Sequence, residues 1–233
     1  MKSNLHPVLI GLCAFALGTI AGLAAETAKA ASSRPNIVLI VTDDQGYGDC
    51  SSNWNTDLQT PSMDQIGRNG VRFTQFRATP LCAPTRASLM TGLDSLSTGM
   101  WRGPGEAARG GPPSGGWPAD ERRIKDDIVM LPHLLKRAGY ATGMFGKWHL
   151  GYDSKNVPNA RGFDQFVGFL SGAHPYWLRA NSRIEENGKP FKFDGHATDL
   201  FADRAIEFIR ANKDRPFFCY LPLAAAHGPL FVP

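Results

Sequence analysis

Several features that would place the chain at once are missing. No internal repeat runs through its 233 residues, so a solenoid or propeller is not expected. No basic stripe is present either. The 25 Lys and Arg are scattered among 21 Asp and Glu, for a formal net charge of +4, and a nucleic-acid partner is not expected. No dinucleotide fingerprint occurs: Gly103-Pro104-Gly105 has the wrong spacing and no strand leads into it. Cysteine is scarce, with four in all, and Cys13 lies in the N-terminal leader. Cys50 and Cys219 are free to pair in an oxidising compartment, and two unpaired buried thiols fit the same positions.

The leader is readable by itself. Lys2 and His6 precede an apolar run over residues 8–23, and Ala28-Lys29-Ala30 offers a small-residue cleavage site. Residues 1–30 therefore read as a signal peptide, with an uncleaved N-terminal anchor as the alternative. Their loss removes Lys2, Lys29 and Glu26 and lowers the net charge by one, to +3. The expected location is periplasmic or secreted, with no stable membrane association after cleavage. A mildly basic balance suits a protein that acts on an anion.

Four stretches carry chemistry. Asn36-Ile37-Val38-Leu39-Ile40-Val41 is a continuous apolar run that predicts a parallel strand buried on both faces. It ends in Asp43, Asp44, Gln45 and Gly46. Adjacent carboxylates at a strand end suit a hard divalent cation, and an Asx turn leaving the strand fits them too. Next, Cys82-Ala83-Pro84-Thr85-Arg86 lies between a strand-like segment ending near Phe76 and a helix starting near Ala87. A helix N-terminus and a guanidinium both favour an anion there, although a small buried cysteine in a turn matches the same residues. Third, Gly146-Lys147-Trp148-His149-Leu150-Gly151 follows a strand-like segment over residues 140–145. Lys147 and His149 are two apart, so in an extended segment they point the same way. One carries a fixed charge and the other exchanges protons near neutral pH. Last, an apolar strand from Phe217 leads to Ala226-His227-Gly228-Pro229, where His227 is either catalytic or a structural turn residue.

Helices alternate with these strands, which argues for an α/β fold with a largely parallel sheet. Thr60-Pro61 predicts an N-cap and first helical position, and Asn69-Gly70 a helix end. Residues 71–76 alternate like a strand. Residues 131–138 predict a helix closed by Gly139. Residues 198–211 predict a longer one, whose Leu200, Phe201, Ile206, Phe208 and Ile209 face the core. Residues 101–127 read as a loop insertion rich in Gly, Pro and charge. In Gly172-Ala173-His174-Pro175-Tyr176-Trp177, rings and a histidine in a loop suit contact with a sugar or aryl group, His174 among them, or a packed structural cluster.

Cys82-Ala83-Pro84-Thr85-Arg86 resembles the signature of the formylglycine-dependent sulfatases, Cys-x-Pro-Ser-Arg, with Thr85 where most members carry Ser. The phrases at Asp43, Lys147 and His227 follow in that family's order over essentially all of the chain after the leader. The resemblance implies an alkaline-phosphatase-like, mostly parallel sheet flanked by helices, with residues 34–233 as the N-terminal portion of the catalytic domain. It implies that a formylglycine-generating enzyme converts Cys82 to an aldehyde, whose hydrate attacks sulfur and later expels sulfate. It assigns Asp43, Asp44 and the converted Cys82 to a Ca²⁺ ion, with Mg²⁺ as the alternative. It assigns Arg86 to stabilising the hydrate and Lys147 to the sulfate. His149 becomes the base of the second step and His227 a contact to the sulfate or the leaving oxygen. The substrate is a sulfated small molecule or glycan. The family's later metal ligands, an Asp-Asn pair, and a further lysine have no counterpart here. The expectation is therefore an N-terminal half without activity of its own. Another phosphoester or phosphonate hydrolase of the superfamily, or a non-catalytic product, are the alternatives.

Overall fold

The computed structural model describes residues 34–101 and 123–232, and those from Asn36 onward form one compact unit. The leader, with Cys13 and residues 8–23, and most of the expected insertion lie outside the described residues. No helix among the described residues is long and apolar enough to cross a membrane.

The first three strands in the chain are β1 (Ile37–Val41), β2 (Ala141–Lys147) and β3 (Gln165–Phe169). Beyond β3 come β4 (Trp177–Leu178), β5 (Ile184–Glu186), β6 (Lys189–Phe191) and β7 (Gly195–His196), and β8 (Phe217–Pro222) ends the series. The main sheet has the order β1-β8-β2-β3-β5-β6, while β4 and β7 pair separately. The pairs β1–β8, β8–β2 and β2–β3 are parallel, whereas β5 and β6 join antiparallel. This is the mostly parallel α/β sheet expected.

The helices are α1 (Pro61–Asn69), α2 (Cys82–Thr91), α3 (Ser95–Thr98), α4 (Leu131–Arg137) and α5 (Ala197–Asn212). β8 shows why the sheet holds. Phe217, Cys219 and Leu221 join Leu200, Phe201 and Phe208 of α5 on one face. Phe218 and Tyr220 join Ala83, Ala87 and Met90 of α2 on the other. Alternation along a strand fully buried on both sides makes it the middle of a sandwich of helices.

β2 and β3 approach so closely that side chains are excluded between them. A Cβ on Gly168 would collide with the Gly146 carbonyl oxygen, its register partner on β2. Gly139, at φ +85°, closes α4 in the left-handed conformation.

The structure corrects several expectations. β1 is not buried on both faces. Among the described residues it pairs only with β8, and Val38 and Ile40 are 47% and 50% exposed. Only Ile37, Leu39 and Val41 pack inward, because α5 covers β2 and β8 and does not reach β1. Residues 71–76 form no strand, and Val71, Phe73 and Phe76 are exposed. An alternating pattern needs a partner edge to become a strand, and none lies beside it among the described residues. The helix expected from Ala87 begins at Cys82. Thr60 precedes Pro61 as expected, yet its hydroxyl accepts from the Ser51 amide and donates to Asp64 instead of capping. Ile206 lies on the outer side of α5 and is exposed. The described end of the insertion is not loose, since Ile124 is fully buried and Lys125 donates its amide to Thr98. Of the two arrangements open to Cys50 and Cys219, the structure has the unpaired one, and burial pushes the Cys219 thiol up to about 12.

Candidate active site

Three adjacent parallel strands deliver the site. β1, β8 and β2 all end on the same edge of the sheet, where open α/β folds place their ligands. β1 runs into Asp43 and Asp44, β8 into His227, and β2 ends at Lys147 with His149 two residues on. The β1–β8 pairing continues past the strands: Leu223 donates its amide to Val41, and Asp43 donates to Ala225. That lock fixes the two loops against each other.

Cys82 is the first residue of α2, so it sits among the unpaired amides that begin a helix. Its Sγ lies 3.2 Å from His149 Nδ1. His149 reaches it because its backbone turns at φ +60°, and its amide donates to Leu170. The expectation that Lys147 and His149 share one direction fails at this turn. Lys147 points to Asp43 and His149 points to Cys82.

Beneath Cys82 lies a buried charge cluster. Asp43, Arg86 and Lys147 are 4%, 1% and 0% exposed. Lys147 Nζ bonds Asp43 Oδ2, and Arg86 Nη2 stands 3.5 Å from Asp43 Oδ1. Arg86 also donates to the Lys147 carbonyl at 3.0 Å and to the Leu223 carbonyl at 3.4 Å. It therefore ties α2 to the ends of both β2 and β8. Two cations share one carboxylate, which leaves the cluster with one excess positive charge.

A cavity of about 400 Å³ opens over this cluster, lined by Asp43, Asp44, Gln45, Cys82, Thr85 and Arg86 among others. Asp44 takes a left-handed backbone at φ +58° and reaches within 3.7 Å of His227 Nε2. Thr85 turns its hydroxyl to the Thr79 carbonyl at 2.8 Å and the Thr79 hydroxyl at 2.7 Å, so it faces the loop before α2.

The structure thus gathers Asp43, Asp44, Cys82, Arg86, Lys147, His149 and His227. It does not bring His174 to this cavity. The His174 ring packs on Phe169 at 5.0 Å and lines two neighbouring cavities. His227 lines one of those, of about 300 Å³. Burial lowers the His174 pKa, and Nδ1 is 3.1 Å from the Pro175 carbonyl.

Among the described residues no group of three or more His, Cys, Asp or Glu is arranged to hold a metal ion. Asp43 is turned to Lys147 and the Cys82 thiol to His149. Asp44 is the exposed carboxylate. Sequence reasoning assigned Tyr176 no role beyond its aromatic loop. Its buried hydroxyl faces the carbonyls of Ala224 at 2.9 Å and His227 at 2.8 Å, fixing the turn that carries His227. Burial, then the charges of Asp43 and Asp44, raise its pKa. No local pattern marks that contact, because the partners lie about fifty residues apart.

The family model described as Sulfatase matches residues 35–233. The mouse N-acetylgalactosamine-6-sulfatase is 33% identical over 227 residues, covering 88% of this chain and 42% of the relative. The arylsulfatase of Klebsiella aerogenes is 29% identical over 236 residues, covering 91% and 47%. Among solved structures, Ps i-CgsB in complex with k-i-k-neocarrahexaose superposes with a TM-score of 0.76 at 32% identity, over 86% of this chain and 47% of that one. A protein crystallised with its substrate D-glucosamine-2-N,6-O-disulfate gives 0.69 at 31%, over 85% and 36%. The chain spans less than half the length of these relatives.

Proposed function

The chain belongs to the sulfatase family, and from that premise we propose that it serves the hydrolysis of sulfate esters, with Cys82 converted to formylglycine as the attacking residue. The meeting of Cys82 with His149 at 3.2 Å, at a helix N-terminus above the Asp43–Lys147–Arg86 cluster, carries the reading.

Each residue then has a task. The first amides of α2 and the excess positive charge below them favour the sulfate oxygens. Arg86, held by two carbonyls, keeps residue 82 in place and stabilises its hydrated form. Lys147 supplies positive charge through the same cluster. His149 takes the proton from the group at residue 82 that must expel sulfate. His227, positioned through Tyr176, contacts the sulfate or protonates the leaving oxygen. Asp43 and Asp44 would hold a divalent cation, Ca²⁺ with Mg²⁺ as the alternative. They are hard oxygen donors on the cavity that Cys82 lines, the donor type such ions take. When bound, the cation supplies Lewis-acid stabilisation of charge on the ester.

The substrate class we propose is a sulfated glycan or small molecule, supported by the sugar ligands of the related structures. A formylglycine-generating enzyme is the maturation partner. Residues 8–23 and Ala28-Lys29-Ala30 support export to the periplasm or beyond. A second reading, binding without turnover, is favoured by Asp43 and Asp44 being the only carboxylates on this cavity among the described residues.

The test is a paired assay of protein co-expressed with a formylglycine-generating enzyme, using the sulfate and phosphate esters of one phenol. In a version completed with a compatible C-terminal half, release from the sulfate ester alone is expected. Preference for the phosphate ester sinks the sulfatase reaction, and tight binding of the sulfate ester without release favours the second reading.

A further inference from the structure

Beside the site lies a larger cavity, of about 670 Å³, to which no step above assigns a role. The loop after β3 and the turn before β5 bound it, with Leu170, His174, Pro175, Asn181, Arg183 and Glu185 on its walls. Its volume is within the range of about 300–1,000 Å³ that small-molecule sites occupy.

The loop after β3 touches the reaction centre. A Cβ on Gly172 would come within 2.5 Å of the His149 imidazole, whose other side meets Cys82. The cavity therefore stands one loop away from the reacting atom. The 300 Å³ cavity that holds His227 shares Ala173, His174 and Pro175 with it.

Two charged side chains here, Arg183 and Glu185, have no ion pair among the described residues. The Arg183 side chain is exposed and has no hydrogen-bond or ionic partner among the described residues. Glu185 is half-buried and makes no ion pair among the described residues, and burial raises its pKa. Ile184 between them points into the core, so Arg183 and Glu185 share the opposite face. His174 meets a carbonyl through Nδ1, which makes that nitrogen the donor and leaves Nε2 an acceptor. The turn that carries Asn181 is fixed, since Ser182 Oγ accepts from the Arg179 amide and the Ser182 amide donates to the Arg179 carbonyl. Acceptors at Glu185 and His174, an amide and apolar walls match the hydroxyls and ring faces of a sugar. The free guanidinium matches an acidic substituent on it.

We propose that this cavity is a saccharide subsite, which holds the sugar unit next to the sulfated one and selects a unit that is itself anionic. The proposal rests on the sulfate-ester reading for its orientation, since the sulfated unit would sit over Cys82. Arg183 reads the acidic group, whereas Glu185 and His174 accept hydroxyl protons.

Calorimetric titration of the full chain tests it without turnover. The ligands are a neutral disaccharide (lactose), one carrying a glucuronate, and one carrying an O-sulfate in place of that carboxylate. Both acidic ligands are expected to bind, at least about tenfold more tightly than lactose. Arg183→Gln should erase that preference, Arg183→Lys should restore part of it, and Glu185→Gln should weaken all three. Binding of the carboxylate ligand alone, or of the sulfate ligand alone, identifies the group that Arg183 reads. Equal binding of lactose, absence of binding, or an unchanged preference in Arg183→Gln overturns the subsite. Aryl sulfate release is scored separately. Release without acidic-sugar preference sinks only the subsite, and the preference without release sinks only the reaction.

Discussion

Asp43 shows how much one side chain holds in place. Buried between Lys147 and Arg86, it neutralises one of two cations that are out of reach of water. Removing one partner from a buried pair costs about 3–5 kcal/mol, because the remaining charge is left uncompensated. Asp43→Ala should therefore lower the urea midpoint substantially, whereas Asp44→Ala, at an exposed position, should leave it nearly unchanged. If both variants melt alike, the cluster does not hold the three strand ends together. In a version completed with a compatible C-terminal half, Asp44→Ala should still abolish Ca²⁺-dependent release from an aryl sulfate. Undiminished release would return Asp44 to a turn role. Cys82 carries a separate expectation. Co-expression with a formylglycine-generating enzyme should replace its sulfur by an aldehyde, visible in the mass of the peptide spanning residues 81–89. Thr85, turned to Thr79, is where the pentapeptide departs from the family pattern. An unmodified thiol in the native protein, with Thr85→Ser readily converted, would show that Thr85 blocks maturation.

Among the elements, β2 and β3 meet without room for a side chain at Gly168. Gly168→Ala would put a methyl against the Gly146 carbonyl oxygen, and overpacking of that kind costs about 1–3 kcal/mol or more when backbone must move. A lower melting temperature is expected, together with lost activity, because Lys147 ends the strand that would shift. The start of the same strand is tied by Asp164, which accepts from the Thr142 amide and hydroxyl and pairs with Lys136 at 2.5 Å. Burial pushes the Asp164 carboxyl up, and Lys136 with the Thr142 bonds outweighs it, so the net pKa is lowered. The charged form is favoured by folding. Its contribution is present above the ordinary carboxylate pKa and is lost as pH falls through the lowered value. Acid unfolding of Asp164→Asn should start from a lower stability and show a shallower slope below about pH 4. An unchanged slope would remove Asp164 from the acid transition.

At the scale of the whole molecule, one apolar region is exposed among the described residues. Val38 and Ile40 of β1 are exposed, as are Val71, Phe73 and Phe76 in the segment before α2. β1 is also an edge strand, with one side of its backbone unpaired in the sheet. An exposed apolar edge invites pairing with another chain. Residues 31–233 expressed alone should bind a hydrophobic dye, associate in a concentration-dependent way and hold Ca²⁺ weakly. A soluble monomer with a sharp melt and no dye binding would mean that this surface is covered by contacts outside the described residues.

The sequence by itself determined the parallel α/β class and the positions of β2, β8, α4 and α5, and it marked Asp43, Asp44, Cys82, Arg86, Lys147, His149 and His227 as candidate site residues. These are local signals: apolar runs, helix stops and short phrases at strand ends, legible because each residue type is tied to its neighbours in the chain. Tertiary structure alone decided the rest. It placed β1 at an edge, left residues 71–76 without a partner strand, turned Lys147 and His149 apart and set Tyr176 beneath His227. It also placed His174 on two neighbouring cavities rather than on the one that Cys82 lines. Each of these depends on what lies alongside in space, and burial, pairing and orientation are properties of the neighbour across the sheet rather than the neighbour in sequence.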